Sequence, residues 1–183
     1  SKTKLLTIVA NLIGAEKAAK FKKISYLGYP FSVSENFQVR NTGKTINESL
    51  FILKQIINLA ASNKKKLVVY LSMGFGNPYG DPWNTSIIKK WVDNLIDLGV
   101  QTISLSDTTG NAKTKDIDIL FKDLILAYPK LEIGSHFHAH PEQWYKKIHT
   151  AYLAGCKRFD GTIKGYGGCP MAHDKLVGNI PME

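Results

Sequence analysis

The chain has 183 residues, 44% hydrophobic and 21% charged, and carries a formal net charge of +9. That composition suits one globular domain with a real core, expected over residues 1–183. It excludes a membrane span, since no apolar run approaches about 20 residues, and its two cysteines, Cys156 and Cys169, do not form a disulfide framework. A reducing, cytoplasmic setting is the expectation. The lysines of Lys64-Lys65-Lys66 and of the Lys17 to Lys23 group lack interleaved aromatics, so solvated helix ends are expected rather than a nucleic-acid surface.

Leu5 to Ile13 is a continuous apolar run, expected as a strand buried on both faces. A short helix over Ala15 to Lys22 follows, then a strand over Ile24 to Gly28 that Tyr29-Pro30 should stop. Ser32 to Lys44 is polar and expected as a long functional loop. Thr45-Ile46-Asn47-Glu48 has the capping-box pattern and opens a helix to about Ala61, with Ile46, Leu50, Leu53, Ile57 and Ala61 inward.

Leu67 to Met73 reads as the third strand, followed by a turn-rich loop over Gly74 to Pro82. Asn84 or Thr85 opens a helix with Ile88, Trp91, Val92 and Leu95 inward, ended by Gly99. Thr102 to Leu105 is the fourth strand, Ile117 to Tyr128 a helix closed by Pro129, and Leu131 to Ser135 a fifth strand that runs into His136. Pro141 suits the first turn of a helix ending at Gly155. Arg158 to Ile163 is the sixth strand, and a glycine loop follows.

Six strand–loop–helix units with buried strands imply a parallel α/β sheet. Polar and glycine-rich residues gather after the strands, as in a (β/α)8 TIM barrel with its chemistry at the strands' carboxyl ends. An open doubly wound sheet is the alternative, but no Gly-x-Gly-x-x-Gly follows the first strand. Eight units take about 250 residues, so an incomplete barrel is expected, with two units and the cover of the last strand missing.

Chemistry concentrates in the last third. His136 and His138, at i and i+2 on a strand end, face the same side and stand close enough to share a metal; a hydrogen-bonded pair without metal is the alternative. With the Asn179 carboxamide they would form a mixed nitrogen and oxygen site suited to Mg²⁺ or Mn²⁺, and less well to Zn²⁺. Cys169, set among Gly167, Gly168 and Pro170, presents a thiol able to give or take a proton, whereas Cys156 reads as a buried structural thiol. Asp107 has the position for a catalytic or supporting carboxylate, or for a cap on the following loop.

Gly165-Tyr166-Gly167-Gly168-Cys169-Pro170, with His136-Phe137-His138 before it and Gly178-Asn179 after, resembles the hydroxymethylglutaryl-CoA lyases of the DRE-TIM metallolyase superfamily. Leu5 to Asn11, Ser34-Glu35-Asn36-Phe37 leading to Asn41, Gly76-Asn77-Pro78-Tyr79, and Ile103 to Thr108 extend the similarity across most of the chain. The resemblance implies cleavage of (S)-3-hydroxy-3-methylglutaryl-CoA into acetyl-CoA and acetoacetate with a divalent metal, or a related metallolyase or aldolase reaction on another hydroxyacyl-CoA. It implies His136, His138 and Asn179 as metal ligands, His136 also in acid/base work, Cys169 as proton donor to the acetyl-CoA enolate, and Asp107 as an active-site aspartate. Asn41, Gly167 and Gly168 join as cofactor-binding positions.

The family's Arg-Asp-Gly stretch, which supplies a metal carboxylate and a catalytic arginine, has no match here. His140-Pro141 and Met182 also depart from the family pattern. Two classes of function are therefore expected: a lyase whose active site is completed from outside this chain, or a non-catalytic partial barrel acting as a subunit or scaffold. Its partners would be an acyl-CoA substrate and either further copies of itself or a chain supplying the missing strands, with no nucleic acid and no membrane. A eukaryotic source would move the expected location to the mitochondrial matrix.

Overall fold

A computed structural model describes residues 4–171 and 177–182. Six parallel strands lie in sequential order, β1 (Leu5–Ile8), β2 (Ile24–Ser32), β3 (Lys66–Ser72), β4 (Thr102–Asp107), β5 (Glu132–Phe137) and β6 (Arg158–Asp160). The helices between them are α1 (Leu12–Ala19), α2 (Glu35–Thr42) and α3 (Ile46–Ser62), then α4 (Thr85–Asp97), α5 (Thr114–Ala127) and α6 (Trp144–Leu153). A doubly wound sheet reverses its strand order at a switch point; this one never does. Residues of β1 and of β6 line one cavity, so the sheet curls about a lumen and forms a partial TIM barrel. The core lies between sheet and helices, where Leu53, Ile88, Leu95, Phe121 and Phe137 are fully buried.

The expected β1 was too long. It ends at Ile8, and the Asn11 side chain accepts from Gly14 N to cap α1, so Leu12 and Ile13 are helical. Nor is β1 buried on both faces: Leu5 and Ile8 are half exposed, as an edge strand permits. β2 instead runs on through Pro30 to Ser32. The Gly28 carbonyl accepts from Val9 N at 2.8 Å, and Pro30, two residues on, presents the same edge where β1 has ended. Its missing N–H therefore breaks no ladder bond.

The polar stretch after β2 is a helix, not a loop. Ser34 caps α2 by accepting from Phe37 N, and Gly43 closes it in the left-handed region. In α3 both capping-box bonds form, while the buried stripe is Ile46, Ser49, Leu53, Ile56 and Ala60, so Ala61 faces out. α4 keeps Ile88, Val92 and Leu95 buried as expected, with Trp91 partly covered. β4 and β5 each reach two residues further than expected, which places Asp107 and His136 on strands. β6 is shorter, and a 3-10 turn over Ile163–Gly165 replaces its end.

Candidate active site

β5 fixes the histidines. His136 lies beside Ser106 of β4 and Asp160 of β6 in the parallel register. Phe137, between the histidines, packs edge-on against Phe75 and Phe121 on the helix side, so alternation turns His136 and His138 into the lumen. Their ring centroids stand 5.2 Å apart with planes at 79°. Tyr70 of β3 meets the other side of His136 at 5.2 Å.

Both imidazoles are held neutral. Burial, reinforced by His138, pushes His136 down to about 4. Burial also lowers His138, against the opposing pull of Asp107 and a hydrogen bond with the Val177 backbone. Each buried Nδ1 has no hydrogen-bond partner among the described residues. Buried ring nitrogens usually find one, and an unpartnered neutral imidazole nitrogen is the form that binds a metal.

The glycine loop returns to the lumen beside them. Gly167 has φ +94°, and a Cβ there would come within 2.9 Å of Asn179 Nδ2, so only glycine lets the loop approach that amide. Asn179 Nδ2 donates to Tyr166 O at 3.0 Å, and its backbone N–H donates to Gly165 O. A bridge between His138 and Asn179, with Ala139 N donating to Gly178 O at 3.1 Å, ties the returning segment to the end of β5.

A cavity of about 890 Å³ therefore collects His136, His138, Gly168, Cys169, Asn179 and, from α2, Asn41. Gly167 is not among the lining residues and instead packs closely against the Asn179 amide. The expectation for Asp107 needs correction. It is the last residue of β4 and shares the helix-facing side with Phe137, its neighbour in register. Its Oδ2 accepts from Ala112 N at 3.1 Å and from Lys147 Nζ at 2.6 Å, so it caps the following loop and turns away from the cavity. Cys156 is fully buried, and its thiol donates to Arg158 O; burial pushes it up to about 11.

Further residues in and around the site are not singled out as site candidates by the sequence. Asp160 accepts from Ser104 Oγ at 2.9 Å and from Arg158 at 3.4 Å, forming with Tyr70 a polar floor to the lumen. At the rim, Tyr79 donates to Met171 O at 2.8 Å, while Arg40 lies over its ring. Asp81 accepts from Ser34 Oγ and from Asn36. Lys147 left a signal that could have found it: it occupies the apolar stripe of α6, four residues before buried Ala151.

A curled parallel sheet with titratable side chains gathered where its strands end is the architecture of a TIM-barrel catalytic domain. Within that class, the chain belongs to the HMGL-like family, whose model matches residues 3–183. It is 33% identical over 141 residues to a hydroxymethylglutaryl-CoA lyase of Bacillus subtilis, covering 77% of this chain and 47% of that protein. An (R)-citramalyl-CoA lyase of Chloroflexus aurantiacus is 26% identical over 176 residues, covering 96% of this chain and 55% of that one.

Among solved structures, the HMG-CoA lyase of Bacillus subtilis superposes with a TM-score of 0.86 at 31% identity, covering 96% of this chain and 58% of that chain. An HMG-CoA lyase of Acinetobacter baumannii, in complex with coenzyme A and 3-methylmalate, gives 0.86 at 25% identity and covers 57% of that chain. The chain thus spans about half the length of the curated relatives it matches. Among the described residues no helix is long and apolar enough to cross a membrane.

Proposed function

We propose that this chain carries part of the active site of a carbon–carbon lyase. The substrate is 3-hydroxy-3-methylglutaryl-CoA, and the products are acetyl-CoA and acetoacetate. The observation that carries the reading is a pair of histidines, each with a buried Nδ1 unpartnered among the described residues, lining the same cavity as Cys169 and Asn179.

Those residues fit a divalent cation, Mg²⁺ or Mn²⁺ by their mixed donors. His136 and His138 offer neutral nitrogens, and Asn179, whose Nδ2 is committed to Tyr166, offers Oδ1. No three His, Cys, Asp or Glu side chains converge on a metal position among the described residues, so a carboxylate ligand has to come from outside this set. When bound, the cation supplies a Lewis acid for the substrate's hydroxyl and carbonyl oxygens.

The chain's own groups handle the protons. His136, neutral well below pH 7, has one free ring lone pair, and where that pair is not on the cation it accepts the proton of the C3 hydroxyl as the C2–C3 bond breaks and the new ketone forms. The bonding electrons pass to C2 as the enolate of acetyl-CoA. Cys169 donates its thiol proton to C2, which completes acetyl-CoA. Asn41, Gly167 and Gly168 bind or shape the acyl-CoA pocket, and Asp107 supports the strand ends from behind.

The test is to supply the intact protein with 3-hydroxy-3-methylglutaryl-CoA and Mg²⁺ and to measure acetoacetate, with citramalyl-CoA in parallel. Acetoacetate formation supports the reading. Turnover of citramalyl-CoA alone would reassign the substrate, and no cleavage of either would sink it.

A further inference from the structure

Lys147 is a charged residue in a place where charge is costly. It sits in the first turns of α6 and is 3% exposed. An ammonium has three N–H donors, and all three find acceptors: Asp107 Oδ2 at 2.6 Å, Gly110 O at 2.6 Å and His138 O at 3.1 Å. Those acceptors come from the end of β4, the loop after it and the residue that follows β5. Ser106, Thr108 and His138, in or next to these segments, line the cavity.

A stability argument does not account for the arrangement. Replacing a buried ion pair by well-packed apolar groups is often neutral or stabilising. What the pair supplies is geometry. The His138 peptide is gripped on both sides, its N–H donating to Asp107 O at 3.2 Å and its carbonyl accepting from Lys147. Gly110, at φ +73°, lies so close that a Cβ would meet Val177 Cγ1 at 2.8 Å and His138 O at 3.3 Å. The backbone beneath the His138 ring is therefore fixed from below, while its buried Nδ1 has no hydrogen-bond partner among the described residues.

We propose that Lys147 is the positioning residue of His138: anchored by Asp107, it locks the ends of β4 and β5 together and holds the imidazole in one orientation toward the lumen. Residues that orient a metal-binding histidine commonly affect metal affinity nearly as strongly as the ligands do. For that second consequence the proposal rests on the metal reading given above; the orientation of the ring does not depend on it.

The test compares Lys147→Met with the double variant Asp107→Asn/Lys147→Met in the intact protein. Three quantities are read: the thermal midpoint, the ¹⁵N signals of the His138 ring in metal-free protein, and Mn²⁺ binding followed by electron paramagnetic resonance. Lys147→Met leaves the Asp107 charge buried and unpaired, so its midpoint falls; the double variant recovers much of it. In both variants the His138 signals shift and broaden, and Mn²⁺ binds about 10–100-fold more weakly.

A folded Lys147→Met with wild-type ring signals would overturn the proposal. So would a double variant in which ring signals return with the midpoint, since charge balance alone would then be the role. Where the single variant does not fold, the double variant decides; if neither folds, the pair is a folding element and the proposal fails. A wild-type protein that binds no Mn²⁺ tells against the metal reading, and the ring signals still settle the role of Lys147.

Discussion

His136 and His138 meet edge to face across 5.2 Å, each with a buried Nδ1 that has no partner among the described residues. Both residues line one cavity, with their ring planes at 79°. Replacing His138 by Ala should therefore abolish tight Mn²⁺ or Mg²⁺ binding in a titration, while circular dichroism stays unchanged. Full metal occupancy in that variant would remove His138 from the ligand set.

Cys169 shares the cavity with the histidines but comes from the glycine loop, not from β5. A Cys169→Ala variant should lower acetoacetate turnover by about 10²–10⁴-fold, the usual contribution of a general acid. Metal affinity should hold nearly unchanged, because a soft thiol is a poor partner for Mg²⁺ or Mn²⁺. A parallel loss of metal would show that Cys169 has been given the wrong role.

The depressed His136 makes stability depend on pH. Its pKa falls from 6.5 to about 4 in the fold, so on acidification the unfolded chain takes up the proton first. The group's contribution is fully present above pH 6.5 and is lost as pH falls toward 4. Urea midpoints of the metal-free protein should be flat, for this group, from pH 8 to 7 and decline between about 6.5 and 5, before most carboxylates titrate. His136→Asn should remove much of that slope; an unchanged slope would place the titrating group elsewhere.

What the sequence disclosed follows from which signals are local. The capping box at Thr45 and the apolar stripe of α4 are written within a few residues, and both formed. The His136 and His138 alternation needs only the pleat of one strand, and Phe137 confirms the side. Chain-local patterns failed where a neighbour decides. Pro30 stays within β2 because β1 has already ended, and α2 hides in a polar stretch because its cap, Ser34, is recognised together with Asp81, which is 47 residues away. Asp107 is the sharpest case. Its place at a strand end was legible, but the direction of its carboxylate depends on Lys147, 40 residues on.

The left-handed glycines give a controlled test of how tightly the backbone at His138 is packed. Gly43, at φ +67°, closes α2 with nothing within 4 Å of a notional Cβ, whereas Gly110, at φ +73°, would press a Cβ onto Val177 and His138 O. Ala at either site carries the left-handed penalty of about 1–2 kcal/mol. Only Gly110→Ala adds crowding, so it should lose roughly 1–3 kcal/mol more in urea unfolding. It should also weaken Mn²⁺ binding, since the displaced carbonyl is that of His138, while Gly43→Ala binds Mn²⁺ normally. Equal stability losses would mean that Val177 moves aside without resistance, and that the packing at His138 is softer than its contacts indicate.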